Sequence, residues 1–260
     1  AQGAAMCCDS AHKTLPVVTG GAYLHLAHDA PVQDEAAVRG ALALFGSTSP
    51  SYLILQSLDA CNAVLAGDYP RRLVQCCAAL EGLRRSLNKA AAARQCPVPL
   101  AVAGAQQEPM KLTLDAAALG CTGTALAEAL RRAQLECEYA DPRYVVLMFT
   151  PENPPQDFER LQTVLEQLLA AVPAGLPRPE NRAGEFAALQ QQAVQRCTIR
   201  QAVLGAQVRI PMHKALGRVC AMPTVSCPPA IPVVVSGEEI TPAAIALMQH
   251  YGIEELSVLR

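Results

Sequence analysis

Ala4-Ala5-Met6-Cys7-Cys8-Asp9-Ser10-Ala11-His12-Lys13-Thr14-Leu15-Pro16 passes from an apolar run of strand length to a polar turn. The run over residues 4–9 predicts a β-strand. Ser10, His12 and Lys13 then stand at its carboxyl end, where α/β folds open the crevice that receives ligands. A lysine there carries a specific chemistry, because its amine becomes an imine-forming nucleophile when burial or neighbouring cations lower its pKa. Ser10 and His12 add donors of the kind that suits a phosphate. Standing alone, a His-Lys pair reads first as a solvated loop, so its surroundings decide.

Outward from this turn, Gly20-Gly21 introduces a second strand over residues 22–26. Residues 33–45 have helical period, with Asp34 and Glu35 in the first turn and Gly46 at the stop. Ser47-Thr48-Ser49-Pro50 is a loop, and Pro50 opens a helix that ends at Gly67-Asp68. Residues 70–94 form a long amphipathic helix with Leu73, Cys76, Cys77, Leu80, Leu83 and Leu87 on one stripe. After Pro97 the pattern changes. Residues 110–114 alternate as a strand and 123–134 are helical. Residues 137–140 and 144–150 are strands joined by Asp141-Pro142. Residues 157–172 are helical, with Phe158, Leu161, Leu165 and Leu168 at core spacing. Strand-helix-strand-strand-helix is the order of a small α+β sandwich.

Pro173, Pro177 and Pro179 mark a linker, and residues 182–196 beyond it are helical. Then follow residues 208–210, Gly217-Arg218-Val219, the segment Cys227-Pro228-Pro229-Ala230-Ile231-Pro232, the β-branched run Val233-Val234-Val235, Gly237-Glu238, and a last helix over residues 241–251.

The 260 residues are 51% hydrophobic and 17% charged, the opposite of a disordered chain, so a sizeable core is within reach. A net charge of −2 supplies no field for nucleic acid or anionic lipid, and the absence of Trp with 4% aromatics leaves no base-stacking platform. No apolar run approaches the roughly 18 residues of a membrane span. Nucleic acid and membrane are therefore not expected as partners, and the expected location is cytoplasmic. Eleven cysteines, an odd number without any C-x-x-C, are neither a secreted disulfide framework nor a zinc ribbon. Cys7-Cys8 and Cys76-Cys77 read as small apolar filler in a strand and a helix. His25 and His28 lack a third ligand, so no metal site is expected. Asp29, Asp34 and Glu35 read as loop and helix-start carboxylates, His213 and His250 as surface residues. Arg71-Arg72, Arg84-Arg85 and Arg131-Arg132 read as solvated helix faces.

Taken together, Ser10-Ala11-His12-Lys13-Thr14-Leu15-Pro16, Tyr23-Leu24-His25-Leu26, Ser47-Thr48-Ser49-Pro50-Ser51-Tyr52 and Leu58-Asp59-Ala60 resemble the bacterial ornithine/lysine/arginine decarboxylases. These are pyridoxal phosphate enzymes of the aspartate-aminotransferase fold type I. Ala215-Leu216-Gly217-Arg218-Val219, Cys227 to Pro232 and Gly237-Glu238 look like the family's C-terminal domain. The resemblance runs in order over almost the whole chain and is nearer to the shorter members. It implies an α/β chain in three parts. Residues 1–105 would be the latter portion of the cofactor-binding major domain with connecting helices. Residues 106–175 would be a small α+β domain, and residues 176–260 the C-terminal decarboxylase domain.

The resemblance also implies roles. Lys13 matches the lysine that carries pyridoxal 5'-phosphate as an imine, and Ser10 and His12 match residues that contact the cofactor phosphate. Ser47 and Thr48 fall in the loop that approaches the phosphate of the neighbouring subunit in the family's dimers. A homodimer or higher assembly through the cofactor domain, and a basic amino acid as substrate, follow from the same likeness. Cys227 and its Pro-Pro loop match a region reaching towards the active-site entrance, with Ala230 where the family usually has Gly. Glu238 is a candidate contributor to the pocket for the substrate's distal cation.

In this fold type the acidic partner of the ring nitrogen, the ring-stacking residue and the first phosphate loop precede the lysine. Only 12 residues precede Lys13. Ala1-Gln2-Gly3, without an initiator Met, fits the same expectation: a fragment, the latter part of a decarboxylase. Its N-terminal half is needed for a full site, and the 260 residues alone are not expected to decarboxylate at a normal rate. Part of the hydrophobic content is then expected to be surface that another half covers. Two rival readings stand beside this one. A cysteine desulfurase of the same fold type also carries Ser-x-His-Lys, but its Gly-Pro-x-Gly continuation is missing here. A non-catalytic assembly module would keep the C-terminal parts without completing the cofactor site.

Overall fold

The computed structural model describes residues 3–31, 34–96, 98–102, 104, 107–173, 189, 191–222 and 232–260. The chain divides into two compact units, Ala1–Glu81 with Phe149–Pro155, and Gly82–Met148 with Gln156–Arg260.

The first unit begins with β1 (Met6–Asp9) and β2 (Tyr23–Leu26), an antiparallel pair in which Cys7 faces His25 and Asp9 faces Tyr23. Strand side chains alternate, so Cys7, Asp9, Tyr23 and His25 share one face and Met6, Cys8, Leu24 and Leu26 the other. The Tyr23 hydroxyl reaches the Leu58 carbonyl at 2.9 Å and Asn62 Oδ1 at 3.0 Å, which ties the first face to α2 (Tyr52–Ala66). The second face is open, with Met6, Leu24 and Leu26 all exposed. Cys7 and Cys8 are exposed too, so the expected role of filler fails for this doublet.

Helix α1 (Glu35–Phe45) is capped by Asp34, whose carboxylate accepts from the Ala36 amide at 2.9 Å, while Glu35 pairs with Arg39 one turn on. No residue of α1 is buried. Helix α2 starts after Ser51, one residue past Pro50. Helix α3 (Tyr69–Ala93) buries Cys76, Leu80, Leu83 and Leu87 of the expected stripe, while Leu73 and Cys77 are half-buried. Arg84 breaks the expectation of a solvated Arg84-Arg85 face: only 7% of it is accessible, and its Nη2 donates to the Lys111 carbonyl at 3.1 Å. Arg72 is also drawn in, to Glu152 at 2.8 Å and the Pro151 carbonyl at 3.0 Å.

In the second unit β3 (Lys111–Asp115), α4 (Gly123–Arg132), β4 (Tyr139–Ala140), β5 (Tyr144–Met148) and α5 (Pro155–Ala170) realise the expected α+β order. The sheet is antiparallel in the order β3-β5-β4. Leu112, Leu114, Val145 and Leu147 point into its covered face, and Leu126, Leu130, Leu161, Leu165 and Leu169 are buried on the helices. The α5 stripe settles on steps of four, leaving Leu168 half-buried. Further on, α6 (Ile199–Leu204) carries a capping box between Thr198 and Gln201. Strands β6 (Gln207–Pro211) and β7 (Glu255–Leu259) pair antiparallel, with α7 (Pro242–His250) between them in sequence. Met212, Cys220, Ile240, Leu247, Leu256 and Val258 form a common core there. The β-branched run Val233-Val234-Val235 is loop. All but the first residue of the linker expected over residues 173–179, most of the expected helix over 182–196 and Cys227 to Ile231 lie outside the described residues. Among the described residues no helix is long and apolar enough to cross a membrane.

Candidate functional site

Strand β1 ends at Asp9, and the chain at once winds into a 3-10 turn over Ala11–Lys13. Ala11 is buried and its carbonyl accepts from the Thr14 amide at 3.3 Å and the Leu15 amide at 2.8 Å, which closes the turn under His12 and Lys13. From α3 the buried Tyr69 donates its hydroxyl to the Thr14 carbonyl at 3.3 Å. Nothing in the sequence signals that link, which joins positions 55 apart.

Gly20-Gly21 does more than turn the chain into β2. Gly20 has φ of +100°, and a Cβ on Gly21 would sit 2.3 Å from the Val17 side chain. The turn therefore brings the Gly21 carbonyl up against the lysine turn, where it takes His12 Nδ1 at 3.0 Å and the His12 amide at 3.3 Å. Since a carbonyl only accepts, Nδ1 carries the proton.

What remains unspent at this turn is a hydroxyl, an imidazole nitrogen and an amine. Ser10 and Lys13 are exposed and His12 is half-buried. Among the described residues Ser10 Oγ, His12 Nε2 and Lys13 Nζ make no hydrogen bond or ion pair. Three adjacent polar groups at a strand's carboxyl end, none committed internally, fit an aldehyde bearing a phosphate: the amine for the carbonyl, the hydroxyl and a doubly protonated imidazole for the ester. Beside them, Asp9 is paired with His25, Nε2 to Oδ2 at 3.1 Å, and also accepts from the Cys7 thiol at 3.1 Å.

Ser47 and Thr48 lie in the loop between α1 and α2, both exposed. Ser47 Oγ accepts from the Ser49 amide at 3.1 Å, so the loop is braced on itself. No hydrogen bond or ion pair among the described residues joins it to the lysine turn. Glu238 lines an open cavity of about 230 Å³ with Val233, Val234 and Thr241, and its carboxylate accepts from the Val235 amide at 2.8 Å.

Five thiols among the described residues are held in their protonated form, which gives sulfur chemistry no support from them. Hydrogen bonding to Asp9 pushes the Cys7 thiol up, and burial pushes up Cys76, Cys121, Cys137 and Cys220. No disulfide links the cysteines of the described residues, and no cluster of His, Cys, Asp and Glu among them is set to hold a metal.

Two family models match the sequence. One, described as the Orn/Lys/Arg decarboxylase major domain, covers residues 2–108. The other, the Orn/Lys/Arg decarboxylase C-terminal domain, covers residues 181–254. An uncharacterized protein of Bacillus subtilis (strain 168), YaaO, is 28% identical over 250 residues, 94% of this chain and 49% of that protein. An arginine decarboxylase of the same organism is 27% identical over 244 residues, 92% of this chain and 48% of its own. Among solved structures, the constitutive lysine decarboxylase of E. coli superposes with a TM-score of 0.68 at 17% identity, covering 98% of this chain and 49% of that one. The chain thus spans about half the length of the curated relatives it matches, and the structural likeness carries the fold.

Proposed function

Because the chain belongs to the Orn/Lys/Arg decarboxylase family, we propose that it forms the lysine-bearing part of an enzyme that removes CO2 from a basic amino acid with pyridoxal phosphate. The observation that carries this reading is the Ser10–Lys13 turn, which ends β1 with its hydroxyl, imidazole nitrogen and amine uncommitted. When bound, pyridoxal phosphate supplies the electron sink that accepts the electrons left by CO2.

Lys13 binds the cofactor through Nζ and afterwards holds a proton there. Exposure keeps that amine accessible, and the bonds to the Ala11 and Thr14 carbonyls fix the backbone that carries it. Ser10 and His12 hold the phosphate. Ser47 and Thr48 reach the phosphate of a neighbouring subunit across a dimer, which agrees with a loop braced on itself and unconnected to the lysine turn. In this reading the three functional parts are residues 1–105, 106–175 and 176–260.

The acidic partner of the ring nitrogen comes from polypeptide beyond these 260 residues. Two observations support this: the relatives are about twice as long, and the second face of β1 and β2 lies open. In the same reading the product is a polyamine-type amine and the enzyme works in the cytoplasm.

Incubating the purified chain with pyridoxal phosphate and reducing with borohydride tests the reading. The label is expected on Lys13 by peptide mass spectrometry and absent in Lys13→Ala. Release of CO2 from arginine, lysine or ornithine is expected only with the upstream half supplied. Labelling spread over surface lysines would overturn the assignment of Lys13.

A further inference from the structure

His12 holds its ring by a bond that leaves it a single way to meet an anion. The Gly21 carbonyl takes both the His12 amide at 3.3 Å and Nδ1 at 3.0 Å, so the Nδ1 proton is committed within the fold. In the neutral ring Nε2 then carries only a lone pair, which repels a phosphate oxygen. A donor at Nε2 exists only when the ring is doubly protonated.

We infer that His12 takes an anion solely as the imidazolium, which makes capture of a phosphate ester at the Ser10–Lys13 turn acid-favoured. This rests on the reading of that turn as the seat of a phosphate-bearing cofactor, and it adds the charge state in which the seat works. The titratable groups nearest in the fold are these. Lys13 lies in the same turn, Asp9 and His25 are paired at the end of the β1–β2 ladder, and the Tyr69 phenol lies at the Thr14 carbonyl from α3. Gly21 suits that position, because a Cβ there would run into the Val17 side chain.

The sign follows by linkage. An anion that binds only the protonated ring raises the titration midpoint of His12. The contact is present below the midpoint of the free ring and lost as pH rises through the raised one. Affinity falls about tenfold per pH unit above the midpoint of the free ring, and the raised midpoint marks where occupancy at a fixed anion concentration is lost.

Ring-nitrogen NMR on the 260-residue chain tests this, with sulfate as the probe because its charge is constant between about pH 5 and 8, where imidazoles titrate. The neutral ring is expected to show the Nδ1–H tautomer, and sulfate is expected to move the His12 midpoint upward. In His12→Asn, which keeps a donor for Gly21 but cannot titrate, sulfate binding is expected to be level with pH. A neutral ring protonated on Nε2, or a midpoint that sulfate leaves unmoved, overturns the inference. Failure of borohydride labelling at Lys13 would instead sink the cofactor reading, and it leaves the tautomer result standing.

Discussion

The Asn88 side chain closes a pair of hydrogen bonds on the backbone of Ala101, Nδ2 to the carbonyl and the amide to Oδ1, both at 2.7 Å. On its other side the 100–102 strip pairs with β3, through the Ala101–Leu114 bridge and through Asp115 N to the Leu100 carbonyl at 2.8 Å. One amide side chain on α3 thus serves as the last rung beyond the sheet edge. Asn88→Ala leaves two backbone groups of a fully buried residue without partners, at a cost of about 2 kcal/mol. Urea unfolding measures it, and a loss below about 0.5 kcal/mol would mean that water replaces the amide.

Asp115 and Arg143 form the most protected ion pair among those described, Nη2 to Oδ2 at 2.7 Å and Nε bonded to both carboxylate oxygens. Asp115 is 6% accessible at its side chain and also caps the turn at Ala117. Its carboxylate pushes the Arg143 guanidinium further up, so that cation cannot discharge. Asp115→Ala therefore removes the carboxylate that takes both Nε and Nη2 of a largely buried guanidinium, and the expected loss is about 3 kcal/mol in the second unit. Pairing it with Arg143→Met should recover part of that loss in thermal denaturation. A double variant no better than the single would show that the cap, not the charge, dominates.

The sandwich was legible because its signals are local and its core closes within the described chain. Leu161 and Leu165 recur at helical spacing, and 111–115 and 144–148 alternate, so period and burial agree. Helix α1 shows where this stops. Its periodicity named the element correctly, yet Leu42, Leu44 and Phe45 meet solvent, because periodicity reports a face and not what covers it. Arg84 was misread for the converse reason: a charged pair on a helix looks solvated until a carbonyl 27 residues away reaches one member. At the candidate site, Ser10, His12 and Lys13 stand together as their sequence adjacency requires, whereas Tyr69 and the Gly21 carbonyl enter through tertiary packing.

Burial raises the tyrosine hydroxyls of Tyr139, Tyr69 and Tyr144 and the thiol of Cys220 in the folded chain. Unfolding lowers each to its ordinary value, so the unfolded state loses protons first as pH rises. Stability from these groups is complete below about pH 8, falls through the thiol range near 8.5, and falls more steeply above about pH 10. Tyr139 is the most strongly shifted, and Tyr139→Phe should flatten the steep limb in urea midpoints measured against pH. Equal slopes for the two proteins above pH 10 would contradict the burial argument.

The ends of α1 and α2 present Leu44 at 79%, Phe45 at 92%, Tyr52 at 81% and Leu53 at 64% accessible. Side chains this open contribute almost nothing to folding, but adjacent ones form a patch of the kind that drives association. Replacing Leu44 with Lys and Phe45 with Ser should therefore leave the urea midpoint within about 0.5 kcal/mol of the parent. The same change should reduce concentration-dependent association in light scattering. A parent chain that stays a monodisperse monomer at high concentration would refute the patch as an adhesive surface. A marked drop in the midpoint would show that these side chains are covered in solution.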